Sequence, residues 1–211
     1  MPDTALRRPP VITSSAWLRA LPPLKRWALQ GERRARDLAA PIWGVPFSEH
    51  ACRAARQGSR ATLWLGPDEY LLLDFAESTA SFAGIDPRPP TGASLLPSGA
   101  PLLPGAPLDG IESTLERALE GTRHALVDLS HRQVALEVSG PHAATILSGA
   151  CPLDLDLTAF PVGMCTRTVL AKADIVLWRT AEATFHLEIW RSFVGYTTAL
   201  LREIAVEFYP P

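Results

Sequence analysis

A strand–strand–helix pattern occurs twice in this chain, and it narrows the possible architectures more than any other feature. Residues 61–73 read Ala-Thr-Leu-Trp-Leu, then Gly66-Pro67-Asp68-Glu69, then Tyr-Leu-Leu-Leu: two β-type runs around a strong turn signal. Much later, Leu177-Trp178 and Thr184-Phe185-His186-Leu187 make a second hairpin with the same apolar and aromatic rhythm. A helix follows each hairpin, after a long loop in the first case and at once in the second. Two such units sharing a core predict an α+β body built from two pseudo-repeated strand–strand–helix half-units.

The rest of the chain is read around this pair. Residues 1–40 are expected to form a basic N-terminal arm with a helix, and residues 41–211 a single α+β domain. Pro23 suits a first helical turn. Leu24, Trp27 and Ala28 fall at helical spacing, Gly31 is the expected C-cap, and residues 32–40 offer further helical turns. Residues 86–108 hold seven prolines, at 87, 89, 90, 97, 101, 104 and 107, so neither helix nor sheet can run through them. This proline-rich loop is expected to be a partner-binding element or an insertion.

Asp109 and Glu112 form an expected capping box for a helix with Ile111, Leu115, Ala118 and Leu119 on one stripe and Gly121 at its end. Strands are expected at 125–128, 134–138, 166–170, 175–178 and 184–189. Gly140-Pro141 opens a short helix with Ile146 and Leu147 inward and Gly149 closing it. Ser192 is expected to cap a last helix that turns Phe193, Leu200, Leu201, Ile204 and Phe208 to the core.

Charge is unevenly spread. Residues 1–60 carry 11 Lys and Arg against four acids (Asp3, Glu32, Asp37, Glu49), a balance of +7, within a whole chain of −2. The basic segment either covers this protein's own acidic body or docks on a partner. Trp17 and Trp27 lie in it as candidate anchors. A sequence pI near 6.2 argues against nucleic acid. Cys52, Cys151 and Cys165 are odd in number and widely spaced, with no CxxC, which fits a reducing compartment better than a disulfide scaffold. With no signal-peptide core and no apolar run of about 18 residues, the expected location is cytoplasmic.

Candidate chemistry is sparse. Asp128, Ser130 and His131 have the residue types of a hydrolytic triad. Neighbours on an extended chain point to opposite faces, however, so a strand-end turn capped by Asp128 or Ser130, with Arg132 paired to an acid, is the better expectation. Cys151 follows a helix C-terminus, where the dipole opposes thiolate, and reads as a buried structural thiol. Asp154 and Asp156 alternate but lack an acceptor-rich loop, and read as solvated or turn-capping acids. His50 and Cys52 supply two metal ligands without a third or fourth. No GxGxxG and no GxxxxGK[ST] is present. The expectation is no catalytic, cofactor-binding or metal-ligating residue in this chain.

Four stretches together carry a family resemblance. They are Leu21-Pro-Pro-Leu-Lys-Arg-Trp27, Leu63-Trp-Leu-Gly-Pro-Asp-Glu-Tyr70, Ala125-Leu-Val-Asp-Leu-Ser-His-Arg132 with Val138-Ser-Gly-Pro141, and Gly149-Ala-Cys-Pro-Leu-Asp-Leu155 with Leu177-Trp-Arg179. In order and spacing the set resembles the gamma subunit of heterotetrameric sarcosine oxidase over residues 20–207, departing mainly in the 86–108 loop. The resemblance implies an accessory subunit whose fold is similar to the folate-binding domain of aminomethyltransferases. It implies alpha, beta and delta partner subunits that carry FAD, FMN, NAD, tetrahydrofolate and zinc and oxidise sarcosine to glycine. On this expectation the arm, with Arg26 and Trp27, and the 86–108 loop form part of the subunit interface, and deleting residues 1–40 releases the partners.

Two alternatives accompany it. One is a stand-alone folate-binding aminomethyltransferase-like protein, which requires Asp174 to lie in a pocket. The segment Leu170-Ala-Lys-Ala-Asp-Ile175 is short and lacks the glycines of the aminomethyltransferase hairpin that delivers a functional aspartate. The other is a gamma-like subunit of a related N-methyl amino-acid dehydrogenase.

Overall fold

The computed structural model describes residues 17–22, 24–75 and 110–209. In chain order these residues form β1 (Leu18–Ala20), β2 (Lys25–Gly31), α1 (Arg33–Trp43), β3 (Ala54–Gln57), β4 (Arg60–Gly66), β5 (Glu69–Asp74), α2 (Ile111–Leu119), β6 (His124–Asp128), β7 (Gln133–Ser139), α3 (Ala143–Ser148), β8 (Cys165–Leu170), β9 (Ala173–Ala181), β10 (Thr184–Trp190) and α4 (Val194–Ala205). The strands make two antiparallel sheets, ordered β3-β4-β5-β2-β6 and β8-β9-β10-β7-β1.

The element order repeats as strand, strand, helix, three strands, helix. Position for position, β6 to α4 retrace β1 to α2, so the expected doubling is present and larger than the hairpins alone suggested. The leading strands are exchanged: β1 pairs with β7 of the second half, and β6 pairs with β2 of the first.

Period-two alternation explains the layering. In β5, Tyr70 and Leu72 face a cluster with Ala35, Ala39 and Trp43 of α1 and Leu115 and Leu119 of α2. Leu71 and Leu73 face the other sheet. In β9, Ile175 and Leu177 pack under α3 and α4, while Val176 and Trp178 face the first sheet. The result is four layers: helices, sheet, sheet, helices. Leu63, Leu71 and Leu73 between the sheets are at most 2% exposed. Each contributes about 1.5–3 kcal/mol of transfer free energy.

Several expectations are corrected. The helix expected from 21 to 31 is the strand β2, hydrogen-bonded on both sides, to β5 and to β6. Pairing within the sheet overrides the helical spacing. Gly31 is not a helix cap; a Cβ there would stand 2.7 Å from that of Ala35, so the glycine lets α1 turn tightly off β2. The α1 helix does follow, and ends at Gly44 in the left-handed region, φ 77°.

From Trp17 on, the supposed arm belongs to the body. Deleting residues 1–40 would remove β1, β2 and most of α1 rather than detach an appendage. Trp17 stacks on Tyr209, and Trp27 meets Trp43 edge-on, both in the core rather than on an interface.

The cap of α2 is Gly110 with no side-chain cap bond, which moves Glu112 one place out of capping-box register; Asp109 and residues 86–108 lie outside the described residues. Helix α3 starts two residues later than expected, after His142. The last helix is preceded by a 3-10 turn, Arg191–Phe193, and is not capped by Ser192. Its buried face is Val194, Thr197, Thr198, Leu201 and Ala205, whereas Phe193 is exposed.

Candidate functional site

Charged side chains are buried between the two sheets, where alternation along β2 and β10 sends them. Arg26 shares its strand face with Ala28, opposite Trp27; His186 and Glu188 lie opposite Phe185, Leu187 and Ile189. The Arg26 Nε donates to Glu188 Oε2 at 2.5 Å, and the His186 Nε2 stands 2.7 Å from Oε1. A second guanidinium nitrogen of Arg26 donates to the Leu24 carbonyl at 2.9 Å. All three side chains are at most 4% exposed.

Burial raises the pKa of Glu188, but the His186 hydrogen bond and charge, with Arg26, outweigh it and hold the carboxyl below its usual range. An ionised carboxylate only accepts, so the His186 Nε2 carries the proton. Trp178 and Phe75 flank the imidazole, with ring centroids 5.8 and 5.9 Å away.

The turn after β6 pins this trio. The Ser130 N–H donates to Asp128 Oδ1 at 2.7 Å, and Ser130 Oγ accepts the Arg26 backbone N–H at 2.9 Å. Asp128, Ser130 and His131 therefore form a strand-end turn, as expected, with the hydroxyl spent on backbone. Burial pushes the Asp128 carboxyl up, but hydrogen bonds from Ser130, aided by Lys25 and His131, bring it below its usual range. Arg132 differs from expectation: it pairs with no acid among the described residues and stacks 4.6 Å over the Trp190 ring.

Beside Glu188 the sheets part to leave a cavity of about 280 Å³. Its walls include Leu71, Val176, Glu188 and Gln133, with Arg132, Arg167, Asp174 and Trp190 also in the lining. Asp174 thus does line a cavity, but it is exposed, two residues past the tight Ala171-Lys172 turn of the β8–β9 hairpin. Arg167 is held bidentately by Glu69. Gln133 is 7% exposed, and its Oε1 has no hydrogen-bond partner.

The remaining candidates are structural. Cys151 is buried, with its Sγ 3.7 Å from Thr168 Oγ1. Burial pushes the Cys165 thiol up to about 12. Asp154 accepts the Asp156 N–H, and Asp156 accepts the Thr158 N–H and hydroxyl, which lowers the Asp156 pKa. Both are turn caps. Among the described residues no three His, Cys, Asp or Glu side chains converge as a metal site, so His50 and Cys52 find no further ligands there. Arg179 spends its guanidinium on the carbonyls of Leu155, Phe160 and Glu182, tying the loop before β8 to β9. No described helix is long and apolar enough to cross a membrane.

Of this trio the sequence singled out only Arg26, as part of a partner interface; His186 and Glu188 were not candidates and the buried pairing was not expected. Arg26 and Glu188 are 162 residues apart, and the one available signal was charge at inward positions of otherwise apolar strands.

Comparison with known proteins places this architecture. Residues 97–207 match the model of the sarcosine oxidase, gamma subunit family. The chain is 30% identical over 185 residues to sarcosine oxidase subunit gamma of an Arthrobacter species, covering 87% of this chain and 75% of that one. It is 32% identical over 165 residues to the corresponding subunit of Corynebacterium sp. strain P-1, covering 78% and 66%. Among solved structures, it is similar to a chain of heterotetrameric sarcosine oxidase from Corynebacterium sp. U-96 in complex with pyrrole 2-carboxylate. There the TM-score is 0.70 at 27% identity, over 90% of this chain and 84% of that one. Glycine cleavage system aminomethyltransferase T from Bartonella henselae shares the fold, with a TM-score of 0.56 at 13% identity over 87% of this chain and 44% of that one.

Proposed function

The chain belongs to the sarcosine oxidase gamma subunit family, and from that premise we propose that it is a non-catalytic accessory subunit of a heterotetrameric sarcosine oxidase. In this reading alpha, beta and delta subunits are its partners and oxidatively demethylate sarcosine to glycine in the cytoplasm. FAD, FMN, NAD, tetrahydrofolate and zinc reside in those partners. This chain contributes surface and rigidity, and no catalytic, cofactor-binding or metal-ligating residue is assigned to it. The observation that carries the proposal is the likeness, along nine-tenths of the chain, to a subunit of such a complex.

Site chemistry supports the non-catalytic part. Glu188 is spent on Arg26 and His186, Arg167 on Glu69, and Arg179 on carbonyls. A cavity of about 280 Å³ falls just below the roughly 300–1,000 Å³ of drug-sized ligand sites. A whole folate would extend beyond it, which supports placing the folate in a partner.

A second reading, a folate-type ligand bound by this chain alone, is favoured by one observation: Asp174 lines the cavity. A tagged pull-down from the native host, with an absorbance spectrum of the eluate, separates the two. The expected result is flavin-containing partners in fixed ratio. A colourless, partner-free protein that binds tetrahydrofolate would overturn the accessory reading.

A further inference from the structure

The outer edges of the two sheets are not alike. Strands β3 and β8 are joined by the bridge between Arg53 and Met164 and by the Cys165 N–H, which donates to the Cys52 carbonyl at 2.9 Å. Strand β1 is only 3 residues long. Strand β6 runs over 5 residues, and among the described residues it pairs with β2 alone.

A bare edge is a template for a further strand, and proteins blunt such edges with proline, lysine or a bulge. Strand β6 has none of these. It reads His-Ala-Leu-Val-Asp, and its register with β2 is unbroken. Val127 is 50% exposed, the most of any large apolar residue in a described strand.

The hydrogen-bond phase of this edge is fixed. The Leu129 N–H donates to the Arg26 carbonyl at 2.8 Å. Ladder bonds alternate along an antiparallel strand, so Ala125 and Val127 also turn their backbone groups to β2. His124, Leu126 and Asp128 turn theirs outward. Side chains alternate as well. Leu126 packs on the side of α1 and α2, which His124 and Asp128 share, while Ala125 and Val127 lie on the opposite side.

This phase and sequence are self-complementary. Let a second β6 lie antiparallel to the first about a twofold axis at Leu126. Outward groups then meet outward groups, and about six backbone hydrogen bonds form. His124 of each copy stands opposite Asp128 of the other, Leu126 opposite Leu126, and Ala125 opposite Val127. Apolar side chains meet apolar ones, an ionisable base meets an acid, and no like charges are opposed. Shifting one strand by two residues shortens the pairing and removes both histidine–aspartate contacts. A shift of one residue sets outward groups against inward ones.

We propose that the β6 edge is a self-association surface, on which a second copy of this chain lays its own β6 and joins two five-stranded sheets across a twofold axis. The proposal does not rest on the accessory-subunit reading.

The test is sedimentation velocity of the full chain from about 10 µM to about 1 mM, the range suited to a small interface. A monomer–dimer equilibrium is expected. Val127→Lys, which puts charge on the edge, weakens it at least about fivefold. His124→Asp opposes like charges at both ends and weakens it roughly 2- to 30-fold. Leu38→Asp, on the exposed side of α1, changes it less than about twofold. Thermal melts establish that each variant is folded.

Register is read by cross-linking. Ala125 and Val127 of the two copies form a non-hydrogen-bonded pair, whose Cα separation of about 4.5 Å suits a disulfide. The double variant Ala125→Cys/Val127→Cys therefore gives a dimer linked through positions 125 and 127 under mild oxidation, and neither single variant does. A parent that stays monomeric throughout, folded edge variants that dimerise like the parent, or cross-linking by the single variants alone would overturn the proposal. Val127→Lys is expected to co-purify with flavin subunits as the parent does. Loss of those subunits in this variant would give the edge to a partner subunit and overturn it too, leaving the accessory reading intact.

Discussion

Replacing Arg26 with methionine strands the Glu188 carboxylate between two sheets. In the parent that carboxylate is fully enclosed, with Arg26 at 2.5 Å on one oxygen and His186 at 2.7 Å on the other. Removing one member of a buried pair costs about 3–5 kcal/mol, because the remaining charge has lost its compensation without regaining water. In a domain of this size each kcal/mol moves the melting temperature by about 2–4 °C, so the midpoint should fall by roughly 6–20 °C. Converting Glu188 to leucine as well removes the stranded charge, and an apolar replacement of a buried pair is often neutral or better. The double variant should therefore recover part of the loss, offset by about 1–3 kcal/mol for the His186 N–H left without its acceptor. The assay is urea denaturation of Arg26→Met, Glu188→Leu and the double variant, analysed as a cycle. An Arg26→Met cost under about 1 kcal/mol, or a double variant as unstable as the sum of the two single ones, would refute the claim that the two charges compensate each other.

Two further outcomes follow from the same chemistry. The Glu188 carboxyl has a folded pKa below its ordinary value, so its contribution is fully present above the unfolded carboxylate range near pH 4.3. It is lost as pH falls through the lowered folded value; an acid titration of stability should therefore be less steep in Glu188→Gln than in the parent. With its thiol pushed up to about 12 and no exposed surface, Cys165 should resist a thiol reagent at pH 8 until the protein unfolds, whereas the partly exposed Cys52 reacts in the native state.

Apart from β3, which the sequence did not suggest, the strands outside the first thirty residues were legible because they carry their own punctuation. Gly66-Pro67-Asp68 fixes the β4–β5 turn, and the alternation in Thr184–Trp190 marks a strand by itself. Segment 25–31 misled for a physical reason. Its alternation, Trp27 and Leu29 on one face against Arg26, Ala28 and Gln30 on the other, runs over too few residues to compete with Leu24, Trp27 and Ala28 at helical spacing. Arg26 hid in the same way, since a lone arginine in a basic stretch reads as solvent-facing until its partner is brought to it by tertiary pairing. The Asp128-x-Ser130 turn was legible because its bonds are local, whereas the cavity assembles side chains from both sheets and had no local signature.

The exchanged leading strands set a timetable for synthesis. Strand β1 is among the first described residues to emerge, yet its pairing partner, β7, lies about 115 residues downstream. At roughly 5–20 residues per second, that leaves β1 with unpaired edge groups for about 6–23 s. Its counterpart β6 meets the opposite situation, because β2 and β5 are already made when it appears. The first sheet can close before the second, and β1 waits for its partner over a longer stretch of chain than any other described strand.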